Sequence, residues 1–136
     1  MNKRAMLLEK IKELGFPQKD VFVSIKDFFE GNEDDASIGV NIYPDPPSLR
    51  EFYDTLKEIE KTNKTEGVFV RITDVDDTDW FYSDTIYLFG DYTLDDVKNM
   101  FKLLRPNEIY EGRMYDRSSN ISHIAPGIKV YSIWWD

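Results

Sequence analysis

The chain has 136 residues, a length typical of one domain, so we expect residues 1–136 to fold as a single unit. Its apolar fraction of 41% excludes a disordered chain, and the absence of cysteine excludes disulfides, thiolate catalysis and most structural zinc sites. The formal net charge of −9 disfavours DNA and RNA as partners, because their phosphates would be repelled, and favours a basic protein.

The first predicted element is an amphipathic helix over about residues 3–14. Apolar residues recur at helical spacing from Leu7 to Leu14, and residues 15–17 (Gly-Phe-Pro) predict its end. Residues 1–19 carry five basic and two acidic residues, so the negative charge lies in the rest of the chain. Charged residues interrupt the apolar ones here, and no run approaches the roughly 20 apolar residues of a membrane span. We therefore expect no signal peptide, no membrane partner and a cytoplasmic location.

Two strands joined by an acidic loop are predicted between Val21 and Tyr43. Apolar residues alternate with period two over residues 21–25 and again over residues 38–42, which places each set on one face of a strand. Turn-forming glycine, asparagine and serine lie between them. The connection also holds five carboxylates, namely Asp27, Glu30, Glu33, Asp34 and Asp35.

The second half of the chain continues with helices and strands in alternation. After a proline-rich connection, Ser48-x-x-Glu51 is a capping-box pattern that predicts a helix over about residues 48–62. A similar pattern opens a third helix at Thr93, with an apolar stripe to Leu104 and an end at Pro106. Strands are predicted from four further runs, at residues 68–73, 85–89, 108–111 and 128–135.

This order is α-β-β repeated three times, and it predicts an α+β fold. Strands joined by short connections favour antiparallel pairing. We expect a two-layer structure with a mostly antiparallel sheet of about six strands and three helices largely on one face.

A second acidic connection, from Asp74 to Asp84, invites two catalytic or metal-binding interpretations. Residues 74–78 read D-x-D-x-T, which resembles the nucleophile loop of haloacid-dehalogenase phosphatases. That family alternates parallel strands with helices, and here residues 74–96 hold eight acids and no basic residue to bind a phosphate. A calcium-binding EF-hand loop that begins at Asp74 would have glycine at its sixth position and glutamate at its twelfth. This chain has Asp79 and Thr85 at those positions. A looser calcium site or a metal-dependent enzyme using the Asp74–Asp79 cluster is the alternative to a loop whose carboxylates face water.

Two further side chains, Trp80 and His123, are candidates for a functional role. Trp80 lies in the second acidic loop, either as an exposed anchor for a partner or as a lid folded onto the core. His123 is the single histidine, and with no cysteine and no evident triad partner we expect it to be a surface residue.

Three phrases resemble an uncharacterised family of small acidic bacterial proteins. They are residues 31–39 (GNEDDASIG), 83–87 (SDTIY) and 130–136 (VYSIWWD), of which the terminal double tryptophan is the most distinctive. The resemblance implies no particular activity. In size, acidity and α+β pattern the chain is also similar in type to the immunity proteins of bacterial toxin systems.

The leading hypothesis is a non-enzymatic acidic protein-binding module, in particular an immunity protein that occludes the cationic cleft of a bacterial toxin. Carboxylates would take the places of phosphates in that cleft, with an aromatic side chain as a desolvated anchor. No cofactor, catalytic residue or nucleic-acid partner is expected. The predicted partner-binding residues are Asp27, Glu30, Glu33, Asp34, Asp35, Asp76, Asp77, Asp79, Trp80, Tyr82 and Asp84.

Overall fold

The computed structural model describes residues 2–75, 79–115, 119–121 and 127–136. The helices are α1 (Lys3–Glu13), α2 (Ile25–Phe29), α3 (Leu49–Lys61) and α4 (Leu94–Met100), and a short 3-10 turn covers Lys102–Leu104. The strands are β1 (Phe22–Ser24), β2 (Thr65–Arg71), β3 (Thr85–Gly90), β4 (Glu108–Glu111) and β5 (Lys129–Trp134). The predicted α+β class is confirmed.

The described strands form one open sheet in the order β1-β2-β3-β5-β4. Every neighbouring pair is antiparallel. The antiparallel pairing is therefore confirmed, whereas the expected count of six strands and three helices is wrong. The described residues form five strands and four helices.

The first difference lies directly after β1, where the predicted strand over residues 21–25 gives way to α2. The Ser24 hydroxyl accepts a hydrogen bond from the Asp27 backbone N–H at 3.0 Å, which caps this helix. Ile25, Phe28 and Phe29 then point into the core at helical spacing. Ser24-x-x-Asp27 is itself a helix-start pattern, and the period-two alternation of the preceding residues obscured it.

The second difference is the predicted strand over residues 38–42, which is absent. Ile38 makes one isolated parallel bridge to Ser83, and the chain then turns. Gly39 adopts φ +65°, and a Cβ placed on it would lie 2.6 Å from Cζ of Phe52. A positive φ and close packing against an aromatic ring are incompatible with a continuing strand. The threefold α-β-β repeat is therefore wrong.

The helices α3 and α4 begin at the predicted capping residues. The Ser48 hydroxyl accepts from the Glu51 backbone N–H at 3.1 Å and caps α3. Thr93 and Asp96 form a reciprocal capping box at α4, in which the Asp96 carboxylate accepts from the Thr93 backbone N–H at 2.9 Å. Such caps satisfy backbone N–H groups that have no partner within the helix.

The main core lies on one face of the sheet. Buried residues of all four helices join strand residues such as Val70, Leu88 and Ile133 there. Trp135 is fully buried in this core: its ring lies 5.3 Å from that of Phe52, and its indole N–H donates to the Leu104 carbonyl at 2.8 Å. Within the described ranges, no helix has the length and apolarity required to cross a membrane.

A smaller cluster of Phe22, Tyr87 and Phe89 occupies the opposite face of the sheet. Tyr115 and Ile121, which follow β4 in the chain, pack against this cluster. The Asn120 side chain makes two hydrogen bonds of 2.8 Å to the backbone N–H and carbonyl of Phe22. Asn120 thereby supplies the partners that a neighbouring strand would otherwise offer to the edge strand β1.

Candidate functional site: an acidic depression

Parts of the two predicted acidic connections meet at one surface depression. We call it the acidic depression; its volume is about 680 Å³ and its lining residues are Asn2, Lys3, Arg4, Gly31, Glu33, Asp34, Asp35, Asp79 and Trp80. Residues 33–35 and 79–80 are distant in sequence, and the fold brings them together. Five of the residues predicted to bind a partner line this depression: Glu33, Asp34, Asp35, Asp79 and Trp80.

The first acidic loop is held in shape by a buried asparagine. Asn32 is 8% exposed; its Oδ1 accepts from the Asp34 backbone N–H at 2.9 Å, and its Nδ2 donates to the Ser37 hydroxyl at 3.0 Å. The Ser37 carbonyl in turn accepts from the Ser83 backbone N–H at 2.8 Å. These bonds fix the loop against the second acidic connection, so its carboxylates are presented by an ordered backbone.

Two carboxylates of this loop also serve the fold. Asp35 Oδ1 accepts from the Leu49 backbone N–H at 3.0 Å, at the first turn of α3. A carboxylate in this position satisfies an unpaired N–H group and interacts favourably with the helix dipole. Asp34 Oδ1 accepts from the Ala36 backbone N–H at 2.9 Å, which closes a local turn. Glu33, which precedes Asp34 in the loop, is exposed.

The second acidic connection doubles back on itself around Trp80. Asp74 and Tyr82 form an antiparallel bridge, in which the Tyr82 backbone N–H donates to the Asp74 carbonyl at 3.0 Å. Trp80 is only 3% exposed, and its ring meets that of Phe81 edge-on at 5.5 Å. Of the two alternatives, the structure therefore shows the lid on the core. Asp79 stays exposed at the rim, and Asp76 and Asp77 lie outside the described residues.

Asp27 on α2 and Glu30 directly after it pair with lysines of α1. Lys10 Nζ lies 2.6 Å from Asp27 Oδ2, and Lys3 Nζ lies 2.8 Å from Glu30 Oε1. The hydrogen bond and the charge of Lys3 lower the pKa of Glu30. The basic N-terminal segment thus lies against the acidic one, and Asp27 and Glu30 do not line the depression. Exposed pairs of this kind contribute little to stability.

Asp84 and Tyr82 also lie away from the depression. Asp84 Oδ1 accepts from the hydroxyls of Thr73 and Thr85 at 2.9 Å each, and it lies 3.5 Å from the Arg71 guanidinium. Arg71 also pairs with the buried Asp20 at 3.4 Å. Burial raises the pKa of Tyr82, and the Asp84 charge raises it further. This network joins residues within the fold, and neither Asp84 nor Tyr82 lines the acidic depression.

Sequence reasoning missed the two cations on the rim, Lys3 and Arg4. The Arg4 guanidinium lies 4.7 Å from the centroid of the Phe81 ring and donates to the Val75 carbonyl at 3.3 Å. The excess of basic residues before residue 20 was the available signal, but nothing local to it indicated which acidic stretch it would meet.

The alternative of a metal site finds no support in the geometry of the described side chains. Among residues 2–75, 79–115, 119–121 and 127–136, no group of three or more histidine, aspartate or glutamate side chains is arranged to hold a metal ion. Asp76 and Asp77 of the predicted cluster, and His123, fall outside those ranges.

Comparison with known proteins places the chain in a family. The sequence profile of the Uncharacterized protein YfbO family matches residues 2–133. The chain belongs to this family. A relative described as "Uncharacterized protein YfbO" from Escherichia coli (strain K12) is 30% identical over 115 residues, which are 84% of this chain and 81% of the relative. The predicted resemblance to an uncharacterised bacterial family is therefore confirmed. No solved structure matches the chain.

Proposed function

We propose that this protein is a non-enzymatic binding module whose acidic depression takes a basic protein partner. In the specific form of the proposal, the partner is a bacterial toxin and the chain is its immunity protein. Its mechanism is occlusion: the carboxylates of the depression occupy a cationic cleft that otherwise holds phosphates, and the bound chain blocks access to that cleft.

The observation that supports the proposal is the convergence of two acidic connections on one depression. Four of its nine lining residues are carboxylates, from two separate parts of the chain, and two are cations. Asp34 and Asp35 are positioned by backbone hydrogen bonds. Carboxylates held in place before binding lose less conformational entropy when a partner docks.

Charge complementarity would act mainly on the rate of association. A chain of net charge −9 attracts a basic partner over a distance set by the ionic strength. Glu33 is exposed and makes no ion pair with any residue that the structure describes. It therefore offers an available charge to a partner. Among the described residues that line the depression, none carries a hydroxyl, thiol or imidazole group, which favours binding over nucleophilic catalysis.

The decisive experiment compares Glu33→Lys with a control of the same charge change, Glu66→Lys. Glu66 is exposed on β2, toward the end of the strand that pairs with Gly90. Immobilised wild-type protein and both variants are used for affinity capture from cells that express the gene. We expect a basic protein to be retained by the wild type and by Glu66→Lys, and to be lost from Glu33→Lys because its charge would then be repelled.

Equal retention by Glu33→Lys, or capture of an acidic protein only, would contradict the proposed surface. The immunity proposal also predicts how the captured protein affects cell growth. Expressed alone it should inhibit growth, and co-expression with this chain should restore growth. A captured protein with no effect on growth would leave a binding module that is not an immunity protein.

A further inference from the structure

A second depression, which the first acidic loop also borders, lies between α2 and α3. We call it the α2/α3 groove; its volume is about 740 Å³, and it is lined by residues of both helices and by Asn32 and Asp35 of the loop. A volume of this size falls within the usual range of small-molecule sites, roughly 300–1,000 Å³. Among the described residues that line them, the groove and the acidic depression share only Asp35, so the two surfaces can be tested separately.

One wall of the α2/α3 groove is aromatic. The rings of Phe29 and Tyr53 lie 5.5 Å apart at a tilt of 59°, and Leu49 also lines this groove. Phe29 is 7% exposed, so its ring is fixed in the core. An apolar wall made by a rigid ring favours a planar or bulky apolar group on the ligand.

The charges around this wall are mainly positive. Lys26, Arg50 and Lys57 line the groove, although the chain as a whole is strongly acidic. The two carboxylates that also line it are engaged elsewhere: Glu30 with Lys3 at 2.8 Å and Asp35 with the Leu49 backbone N–H at 3.0 Å.

The three cations differ in how they are paired. Lys26 makes no ion pair with any carboxylate in the described part of the chain. Arg50 and Lys57 pair with Asp54 and Glu60 of their own helix, at 3.1 and 3.0 Å. The Arg50–Asp54 pair is exposed, and exposed pairs within a helix are weak, so Arg50 can turn toward an anion in the groove.

We propose that the α2/α3 groove binds a small organic anion with an apolar ring or chain, of the class of aromatic and aliphatic carboxylates. The apolar part packs on Phe29 and Tyr53, and the carboxylate lies between Lys26 and Arg50. The Arg50 guanidinium lies 5.9 Å from the centroid of the Tyr53 ring, so cation and ring address neighbouring parts of one ligand. This site is independent of the proposed partner surface.

The test uses three probes that share one ring system: naphthoate, naphthylmethanol and naphthylmethylamine. Binding to the whole protein is measured by calorimetry. We expect naphthoate to bind at least about 10-fold more tightly than the amine, with the alcohol between them, because a hydrogen bond to a charged group is stronger than one between neutral groups. Equal binding of all three, or no binding of naphthoate at millimolar concentration, would overturn the proposal.

Variants then locate the site. Lys26→Gln with Arg50→Gln should weaken naphthoate binding about 10-fold. The control, Lys64→Gln with Lys98→Gln, removes the same charge from exposed residues outside the groove and should leave binding unchanged. Equal weakening in both would show a general charge effect and refute the site. Binding of a short acidic aromatic peptide without any binding of naphthoate would refute the small-molecule assignment.

Discussion

At the scale of single residues, Asp35 shows how a carboxylate in an acidic loop can serve the fold. Its oxygen accepts from the Leu49 backbone N–H at the start of α3, although the two residues are far apart in sequence. Spacing alone indicated only a charged loop residue. The neighbouring Glu33 has the same predicted role and makes no such bond among the described residues, so the two positions should respond differently to substitution.

We predict that Asp35→Ala lowers the free energy of unfolding by about 1 kcal/mol, the usual cost of a lost helix cap. Asp35→Asn should lose less, because its amide oxygen can still accept from Leu49. Urea denaturation measures both, with Glu33→Ala as the control that should stay within about 0.5 kcal/mol of wild type. A loss in Asp35→Asn as large as in Asp35→Ala would show that charge, and not the hydrogen bond, stabilises this helix start.

Asp96 gives a pH-dependent prediction. Hydrogen bonds from the Thr93 backbone N–H and hydroxyl lower its pKa below the ordinary 3.8. A lowered folded-state pKa means that this stabilisation is present above the unfolded-state pKa and is lost as the pH falls through the folded-state pKa. Asp96→Asn does not titrate. Its melting temperature should therefore fall below wild type at neutral pH, and the difference should shrink in acid.

Melting curves of wild type and Asp96→Asn from neutral to strongly acidic pH check this expectation. The informative quantity is the difference between the two proteins at each pH, because other carboxylates titrate equally in both. A difference that is constant across the range would contradict the assigned role of the Asp96 charge.

At the scale of elements, α4 and the turn after it place two apolar neighbours in opposite environments. Phe101 is fully buried, and its ring lies 6.5 Å from that of Trp135, whereas Leu103 is 82% exposed. The helical stripe of the sequence predicted the inward position of Phe101. The 3-10 turn then directs Leu103 to solvent.

Phe101→Ala should therefore lower the free energy of unfolding by about 3–5 kcal/mol, since it removes a buried ring and leaves a cavity. Leu103→Ala, two residues later, should change it by less than about 0.5 kcal/mol. Chemical denaturation of both variants tests the assignment. A loss below about 1 kcal/mol for Phe101→Ala would mean that its ring is not part of the core.

The segment from Val21 to Tyr43 shows why some elements escape sequence reasoning. Alternating apolar residues favour a strand, but Ser24 and Asp27 start a helix after only three strand residues. The strand pattern and the helix-start pattern are both present in the sequence, and packing selects the helix. Phe28 and Phe29 are neighbours in the chain, and both enter the core because the chain is helical here. The turn at Gly39 likewise depends on tertiary packing, because the ring of Phe52 lies against this residue.

At the scale of the whole molecule, the basic N-terminal segment lies against part of the acidic remainder of the chain. The basic segment before residue 20 pairs through Lys3 and Lys10 with Glu30 and Asp27. These contacts pair two lysines of the basic segment with carboxylates. The carboxylates around Glu33 and Asp79 lie at the rim of the acidic depression.

We predict no appreciable binding of DNA or RNA near physiological salt, because the net charge of −9 repels phosphates over most of the surface. Fluorescence anisotropy with labelled duplex DNA and single-stranded RNA measures this directly. Micromolar binding that weakens steeply with added salt would contradict it and would point to the lysines of α1.

The sequence by itself determined the elements whose signals are local. Capping residues at Ser48 and Thr93 and long alternating runs predicted α3, α4 and the strands β2 to β5, because these patterns involve neighbours in the chain. Composition determined the acidic surface and the absence of cysteine chemistry.

Only the tertiary structure decided which of these residues meet. Pairing of Lys3 with Glu30, burial of Trp80, and the convergence of Glu33 and Asp79 on one depression depend on contacts between distant segments. Such contacts are selected by the packing of the whole core, and a single sequence carries no local pattern that encodes them. The α2/α3 groove belongs to the same class: its cations and its aromatic wall come from two helices that only the fold places side by side.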